Sequence, residues 1–146
     1  MGVVKIEPNN YKEGLRLIRK INCVVLVFHP QCGHCIQMRQ NWEAMKPMVH
    51  PNVKIVELNG EGIGRSPELS NSPVGRGTEG FPSLLRFKRG RLVEKYDGER
   101  SAEKMAHFVN KAIEHPRRIR LSGKSKARPK SRSKPRANTK KLRRKN

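Results

Sequence analysis

The sequence predicts an α/β domain, a central mixed β-sheet with helices on both faces, extended at its C-terminus by a basic segment that stays disordered. Three observations carry this. Short apolar runs at 3–6, 23–28, 53–58, 84–87 and 92–96 alternate with stretches of helical periodicity, giving the order β-α-β-α-β-(α)-β-β-α. The length of 146 residues suits one domain of ordinary size with some chain left over. The net charge of +21 is concentrated at one end: residues 1–115 hold 18 Lys and Arg against 12 Asp and Glu, whereas 116–146 hold 15 basic side chains and no acidic one. Residues 1–115 are therefore expected to fold and 116–146 to form a polycationic tail.

The elements follow in order. The alternation at 3–6 predicts a first strand. Asn10, with Glu13 three residues on, looks like an N-cap and its partner, and Tyr11, Leu15, Leu17, Ile18 and Ile21 fall near helical spacing, which predicts a helix over 11–20. A central strand spans 23–28, and a helix over 36–45 places Met38, Trp42 and Met45 on one side, with Val49 beyond. That stripe reads as core, and Pro47 ends or bends the helix. After the strand at 53–58 the chain is rich in glycine, with only Pro67-Glu68-Leu69 offering a helical start, so a long loop with a reduced helix is expected over 59–79. Pro82 cannot donate to a sheet ladder and so belongs at the opening of a strand. The runs at 84–87 and 92–96 form a hairpin around Arg89-Gly90. Ser101 caps a final helix with Glu103 in its first turn and Met105, Phe108, Val109, Ala112 and Ile113 on its apolar side, ended by His115-Pro116.

The chemistry concentrates where the central strand meets the next helix, at Cys32-Gly33-His34-Cys35. A cysteine at a helix N-terminus has its thiolate stabilised by unpaired N–H groups and the positive end of the helix dipole. Cys32 is therefore expected to ionise below an ordinary thiol and to attack disulfides, with Cys35 close enough to resolve the mixed intermediate. Two cysteines are also half of a zinc site, but the other candidate ligands are Cys23, His29, His34, His50, His107 and His115, with no second Cys-x-x-Cys. No metal and no cofactor beyond the cysteine pair is expected. Cys23, nine residues earlier on an extended strand, lies out of bonding range and reads as a buried, inert thiol.

These residues resemble the active site of protein disulfide isomerase domains in the thioredoxin superfamily. The likeness continues in Gly80-Phe81-Pro82-Ser83-Leu84-Leu85, similar to the family's cis-proline loop, in Arg89-Gly90 and in Tyr96-Asp97-Gly98-Glu99-Arg100-Ser101 before the last helix. It covers most of 1–115 and implies a thioredoxin fold, a cis bond before Pro82, and a groove at Phe81, Pro82 and Gln31 in which an extended protein substrate pairs with the backbone. It also implies catalytic roles for Cys32, Gly33, His34 and Cys35, with His34 stabilising the Cys32 thiolate and making the oxidised pair the better oxidant. Three positions depart from the pattern. Leu26 stands where the family has a buried carboxylate beneath the cysteines, which leaves Cys35 without its usual activator. Gln31 replaces a tryptophan, and Gln40 replaces a helix-kinking proline.

The N-terminus has no basic and apolar leader pattern, Ile6 stands where a myristoylation motif wants Ser or Thr, and no apolar run nears the ~20 residues of a membrane span. A monomer without membrane association is expected in the cytoplasm, nucleus or a virion, with its cysteines catalytic rather than structural. In the tail, Lys124, Lys126, Arg128, Lys130, Arg132, Lys134 and Arg136 occupy every second position, followed by Lys140, Lys141, Arg143, Arg144 and Lys145. Extended, such a segment carries cations roughly 6.6 Å apart on one side, suited to a line of phosphates. Without aromatic residues it reads no bases by stacking. Nucleic acid or another polyanion is the expected partner, Arg86, Lys88, Arg89 and Arg91 extend the field onto the domain, and phosphorylation of Ser125, Ser131 or Ser133 would weaken binding. The first functional reading is thus a thiol–disulfide oxidoreductase of isomerase or oxidase type with a polyanion-binding tail. The alternative is a packaging protein that keeps the fold with little redox activity.

Overall fold

Five strands, β1 (Gly2–Ile6), β2 (Asn22–Phe28), β3 (Lys54–Asn59), β4 (Ser83–Lys88) and β5 (Arg91–Lys95), form one sheet in the order β1-β3-β2-β4-β5. The structure, a computed structural model, describes residues 1–113. The boundary at 115/116, the disorder of the tail and the placement of its cations lie outside the described residues. β3 runs parallel to both β1 and β2, while β4 is antiparallel to β2 and to β5. The sheet is mixed, as its apolar runs predicted.

β2 lies at the centre, and its interior is buried from Cys23 to Val27. Successive side chains leave a strand on opposite faces. Val24 and Leu26 pack beneath α2 (Gly33–Met45) and α5 (Ala102–Asn110), with Met38, Trp42, Met45, Met105 and Phe108. Cys23, Val25 and Val27 face α1 (Tyr11–Ile18), α3 (Pro67–Ser70) and α4 (Pro73–Gly77), with Leu15, Leu69 and Val74. The stripe expected on α2 is core, Cys23 is fully buried, and helices cover both faces. α2 runs unbroken past Gln40, and a 3-10 turn carrying Pro47 follows it.

Four expectations need correction. Asn10 precedes α1 but does not cap it with its side chain: its Oδ1 accepts the Glu7 N–H at 2.7 Å, closing the preceding 3-10 turn instead. α1 stops at Ile18 rather than residue 20, because a turn at Arg19 and Lys20 must return the chain to β2. α5 stops at Asn110, well before His115-Pro116, where its side chain is held by His50 N–H and Met48 C=O. The glycine-rich stretch contains two short helices rather than one start. Ser66 and Ser72 each accept an N–H from the first turn, and Pro67 and Pro73 each occupy the first helical position. Both are serine–proline helix starts.

Two glycines matter to the frame. A Cβ on Gly62 would stand 2.5 Å from the Tyr11 ring, whose hydroxyl accepts the Gly62 N–H at 3.0 Å and donates to Asn59 C=O at 2.5 Å. In the hairpin, Arg89 (φ 48°) and Gly90 (φ 86°) both adopt positive φ, the conformation that lets a two-residue turn follow the twist of β4 and β5.

Candidate active site

β2 delivers the chain at Phe28 to the turn His29-Pro30-Gln31, which is tied twice: Cys32 N–H donates to His29 C=O at 3.1 Å and Gln31 N–H to His29 Nδ1 at 3.2 Å. Cys32 takes the N-cap position of α2 in extended conformation, and its carbonyl accepts the Ile36 N–H at 3.1 Å. The thiol therefore sits over N–H groups that the helix itself leaves unpaired. The Cys35 N–H is the largest influence holding the Cys32 thiol below its ordinary range; the Cys35 thiol, the His34 N–H and the Arg100 charge act the same way, against a smaller opposing effect of burial.

Cys35, one turn along, is buried at 8% exposure. Burial pushes its thiol up, aided by a hydrogen bond with Cys32 and by the Cys32 charge, and a backbone hydrogen bond with His29 only partly offsets this. Two thiols of one motif are thus set apart, one favouring the anion and one the neutral form. None of Cys23, Cys32 and Cys35 is in a disulfide.

The expected groove lies beside them. The Phe81–Pro82 bond is cis, and the Cys32 thiol donates to Phe81 C=O at 3.4 Å. The Phe81 ring packs against His29, with centroids 5.4 Å apart. The pair, Phe81 and Pro82 therefore share one site. Gln31 stands exposed in the turn. Gly33 is exposed, with no heavy atom within 4 Å of where a Cβ would lie, so packing does not demand glycine there. His34 is exposed, and its influence on Cys32 comes through its backbone N–H.

Beneath Cys35 is a cavity of about 200 Å³ bordered by Leu26, Met38, Trp42, Pro82, Lys5 and Glu57, among others. Leu26 confirms the apolar substitution, but its register partner on β3 is Glu57, on the same face of the sheet. The missing carboxylate on β2 does not leave the cavity without one. Glu57 Oε2 accepts from Trp42 Nε1 and from Lys46 Nζ, each at 2.8 Å. Burial works to raise the Glu57 carboxyl, but these bonds outweigh it and hold it below the usual glutamate range. Sequence reasoning missed Glu57. Its signal was a charged residue on the side of strand 53–58 that Ile55 shares. It also missed His29, whose ring meets the groove, and the charge of Arg100, quoted only within the Tyr96-to-Ser101 motif. Among the described residues, no group of three or more His, Cys, Asp or Glu is placed to hold a metal ion, and no helix is long and apolar enough to cross a membrane.

Comparison with known proteins agrees with this arrangement. The family model described as Thioredoxin matches residues 2–111. "Protein disulfide-isomerase 2-3" of Arabidopsis thaliana is 29% identical over 85% of this chain, and "Protein disulfide isomerase-like 2-3" of Oryza sativa subsp. japonica is 30% identical over 86%. The chain spans 27% of the length of each. The solution structure of the first thioredoxin domain of mouse "Protein disulfide-isomerase A4" superposes with a TM-score of 0.56, at 18% identity, over 80% of this chain and 79% of that one, a likeness of fold. With the cysteine pair at the start of α2 and the cis-proline loop beside it, the chain belongs to the thioredoxin family of thiol–disulfide oxidoreductases.

Proposed function

We propose that this protein exchanges disulfides with protein thiols, in the manner of a single isomerase or oxidase domain, and that its tail holds it on a polyanion. The observation that carries the first part is the meeting of three groups: the Cys32 thiol on Phe81 C=O beside cis-Pro82, with Cys35 hydrogen-bonded behind it. The Cys32 thiolate attacks one sulfur of a substrate disulfide. A mixed disulfide forms, and the other substrate sulfur leaves as a thiolate that takes up a proton. Cys35 then loses its proton and attacks Cys32 Sγ, the second substrate thiol departs, and the pair is left oxidised. Run backwards, the oxidised pair oxidises a substrate dithiol, two electrons passing in either direction. The backbone at Phe81 offers a C=O to an extended substrate strand, and His34 and Gly33 keep the first turn of α2 open to it.

The bias between directions follows from the thiols. A stabilised Cys32 thiolate favours the reduced pair, which makes the oxidised pair a ready donor of its disulfide. A Cys35 held as a neutral thiol slows resolution and lengthens the life of mixed disulfides. No cofactor beyond the pair is required. The 15 cations of 116–146 and the absence of acidic or aromatic residues there support backbone binding to nucleic acid without base recognition.

Insulin reduction by dithiothreitol and reactivation of scrambled ribonuclease test the redox part: the chain accelerates both and Cys32→Ala does neither. No acceleration by the parent chain contradicts it and favours the packaging reading. Removing residues 117–146 is expected to weaken binding to duplex DNA and to flatten its salt dependence, and unchanged affinity contradicts the role of the tail.

A further inference from the structure

The sheet gives the domain two ends. The cysteines lie beyond the C-terminal end of β2. At the N-terminal end of β2, the turn after α1 meets the β4–β5 hairpin: Arg89 N–H donates to Ile21 C=O at 3.0 Å, and a Cβ on Gly90 would stand 3.0 Å from Arg19 Cα. Asn22 pairs with Lys88 in the ladder. The residues 19–22 and 88–91 are therefore one continuous surface, and it carries Arg19, Lys20, Lys88, Arg89 and Arg91, with no acidic residue in either segment. Among the described residues none of these five makes an ion pair. Arg86, which the sequence placed in this field, does not belong to it, since its guanidinium is bound to Glu94 at 2.8 Å.

From these contacts we infer that the hairpin end of the folded domain is itself a docking surface for duplex nucleic acid, meeting the sugar–phosphate backbone. The inference rests on the polyanion reading above and adds a second element to it. Three of the five cations are arginines, whose planar guanidinium matches phosphate oxygens in a two-pronged contact. The two segments expose no large apolar side chain and no aromatic. A protein partner would be expected to find an aromatic or aliphatic anchor, a membrane an apolar wedge, and a single strand a stacking ring. What is left is charge alone, which suits the regular phosphates of a duplex. β2 itself is seven residues long, so at about 3.3 Å per residue the surface lies roughly 20 Å or more from Cys32. Docked this way, the domain turns its cysteines away from the nucleic acid.

The test is a salt titration of a random-sequence duplex by fluorescence anisotropy, using the full chain and two double variants matched in charge. Arg89→Asn with Arg91→Gln removes two cations from the hairpin; Arg65→Gln with Lys104→Gln removes two from the segment before α3 and from α5, away from it. Asparagine tolerates the positive φ at 89, and circular dichroism verifies both folds. The hairpin variant is expected to flatten the slope of log affinity against log salt by about 1.8, roughly 0.9 for each phosphate no longer neutralised, and the control to leave it unchanged. Cys32 is expected to alkylate at the same rate with and without saturating duplex. A parent chain that binds while both variants keep its slope overturns this surface and leaves the tail reading standing, whereas a parent chain without affinity for the duplex removes both. Protection of Cys32 by the duplex overturns the orientation.

Discussion

The two faces of the sheet are packed to different ends. Beneath α1, α3 and α4, Ile6, Leu58, Leu69, Leu85 and Phe87 are at most 1% exposed, and the polar contact there, Tyr11 with Asn59 and Gly62, is matched on both sides of its hydroxyl. Beneath α2, Val24, Met45, Ile55 and Met105 are as fully buried, but beside Cys35 this layer opens into a pocket of about 200 Å³ and holds a charged group, Glu57 with Lys46 and Trp42. Both faces supply cohesion, and the second also supplies an environment in which two neighbouring thiols differ. The helix that carries the cysteines stands over the face with the open pocket and the charged group, consistent with the general concentration of perturbed ionisation at reactive sites.

Substitutions on the two faces should therefore fail in different ways. The largest effect is Cys32→Ala, which is expected to remove insulin-reducing activity while leaving the stability measured in urea within about 0.5 kcal/mol of the parent, because the thiol is a half-buried surface group. On the α1 face, Phe87→Ala is expected to cost about 3–5 kcal/mol in urea unfolding with the chemistry of the cysteines intact in the folded fraction, whereas Leu26→Ala, already bordering the open pocket, should cost about 2 kcal/mol. Equal losses at the two positions would erase the distinction between the faces.

A smaller effect belongs to Glu57. Glu57→Gln leaves Lys46 and the Trp42 N–H with a poorer acceptor and is expected to cost about 1–2 kcal/mol at neutral pH. The folded carboxyl lies below its unfolded value, so its contribution is full above the ordinary glutamate range and fades as pH falls through the folded pKa. Parent and variant should thus differ in stability at pH 7 and converge in acid; a gap that widens in acid contradicts the assignment. The smallest change is Tyr11→Phe, expected to cost about 1 kcal/mol or slightly more by leaving Gly62 N–H and Asn59 C=O without the phenol, with redox activity untouched.

What was legible in the sequence was what periodicity and punctuation encode. The five apolar runs became the five strands, Met38, Trp42 and Met45 became core, and the Arg89-Gly90 turn and the Ser101 cap fell where turn and cap chemistry place them. Cys32 at a strand–helix junction was readable because both flanking patterns were strong. Less legible was anything set by strand register. Glu57 is far from Leu26 in the chain, and only the parallel pairing of β2 with β3 brings a carboxylate to the face that Leu26 itself leaves apolar. The approach of Arg19 to Gly90 was hidden for the same reason, and of the four cations that the sequence places in this field, Arg86, Lys88, Arg89 and Arg91, the ladder withdraws only Arg86, by pairing it with Glu94. Helix ends were misjudged where a side chain found a partner outside the helix, as Asn10 did with Glu7 and Asn110 with His50.

The asymmetry between Cys32 and Cys35 is decided by site-resolved alkylation of the reduced chain with iodoacetamide across pH, followed by mass spectrometry of each cysteine. Cys32 should react with a midpoint below that of an ordinary thiol, and Cys35 should stay protected until pH is raised past it. Parallel titration of both cysteines in the ordinary range, or earlier reaction at Cys35, contradicts a thiolate held by the start of α2.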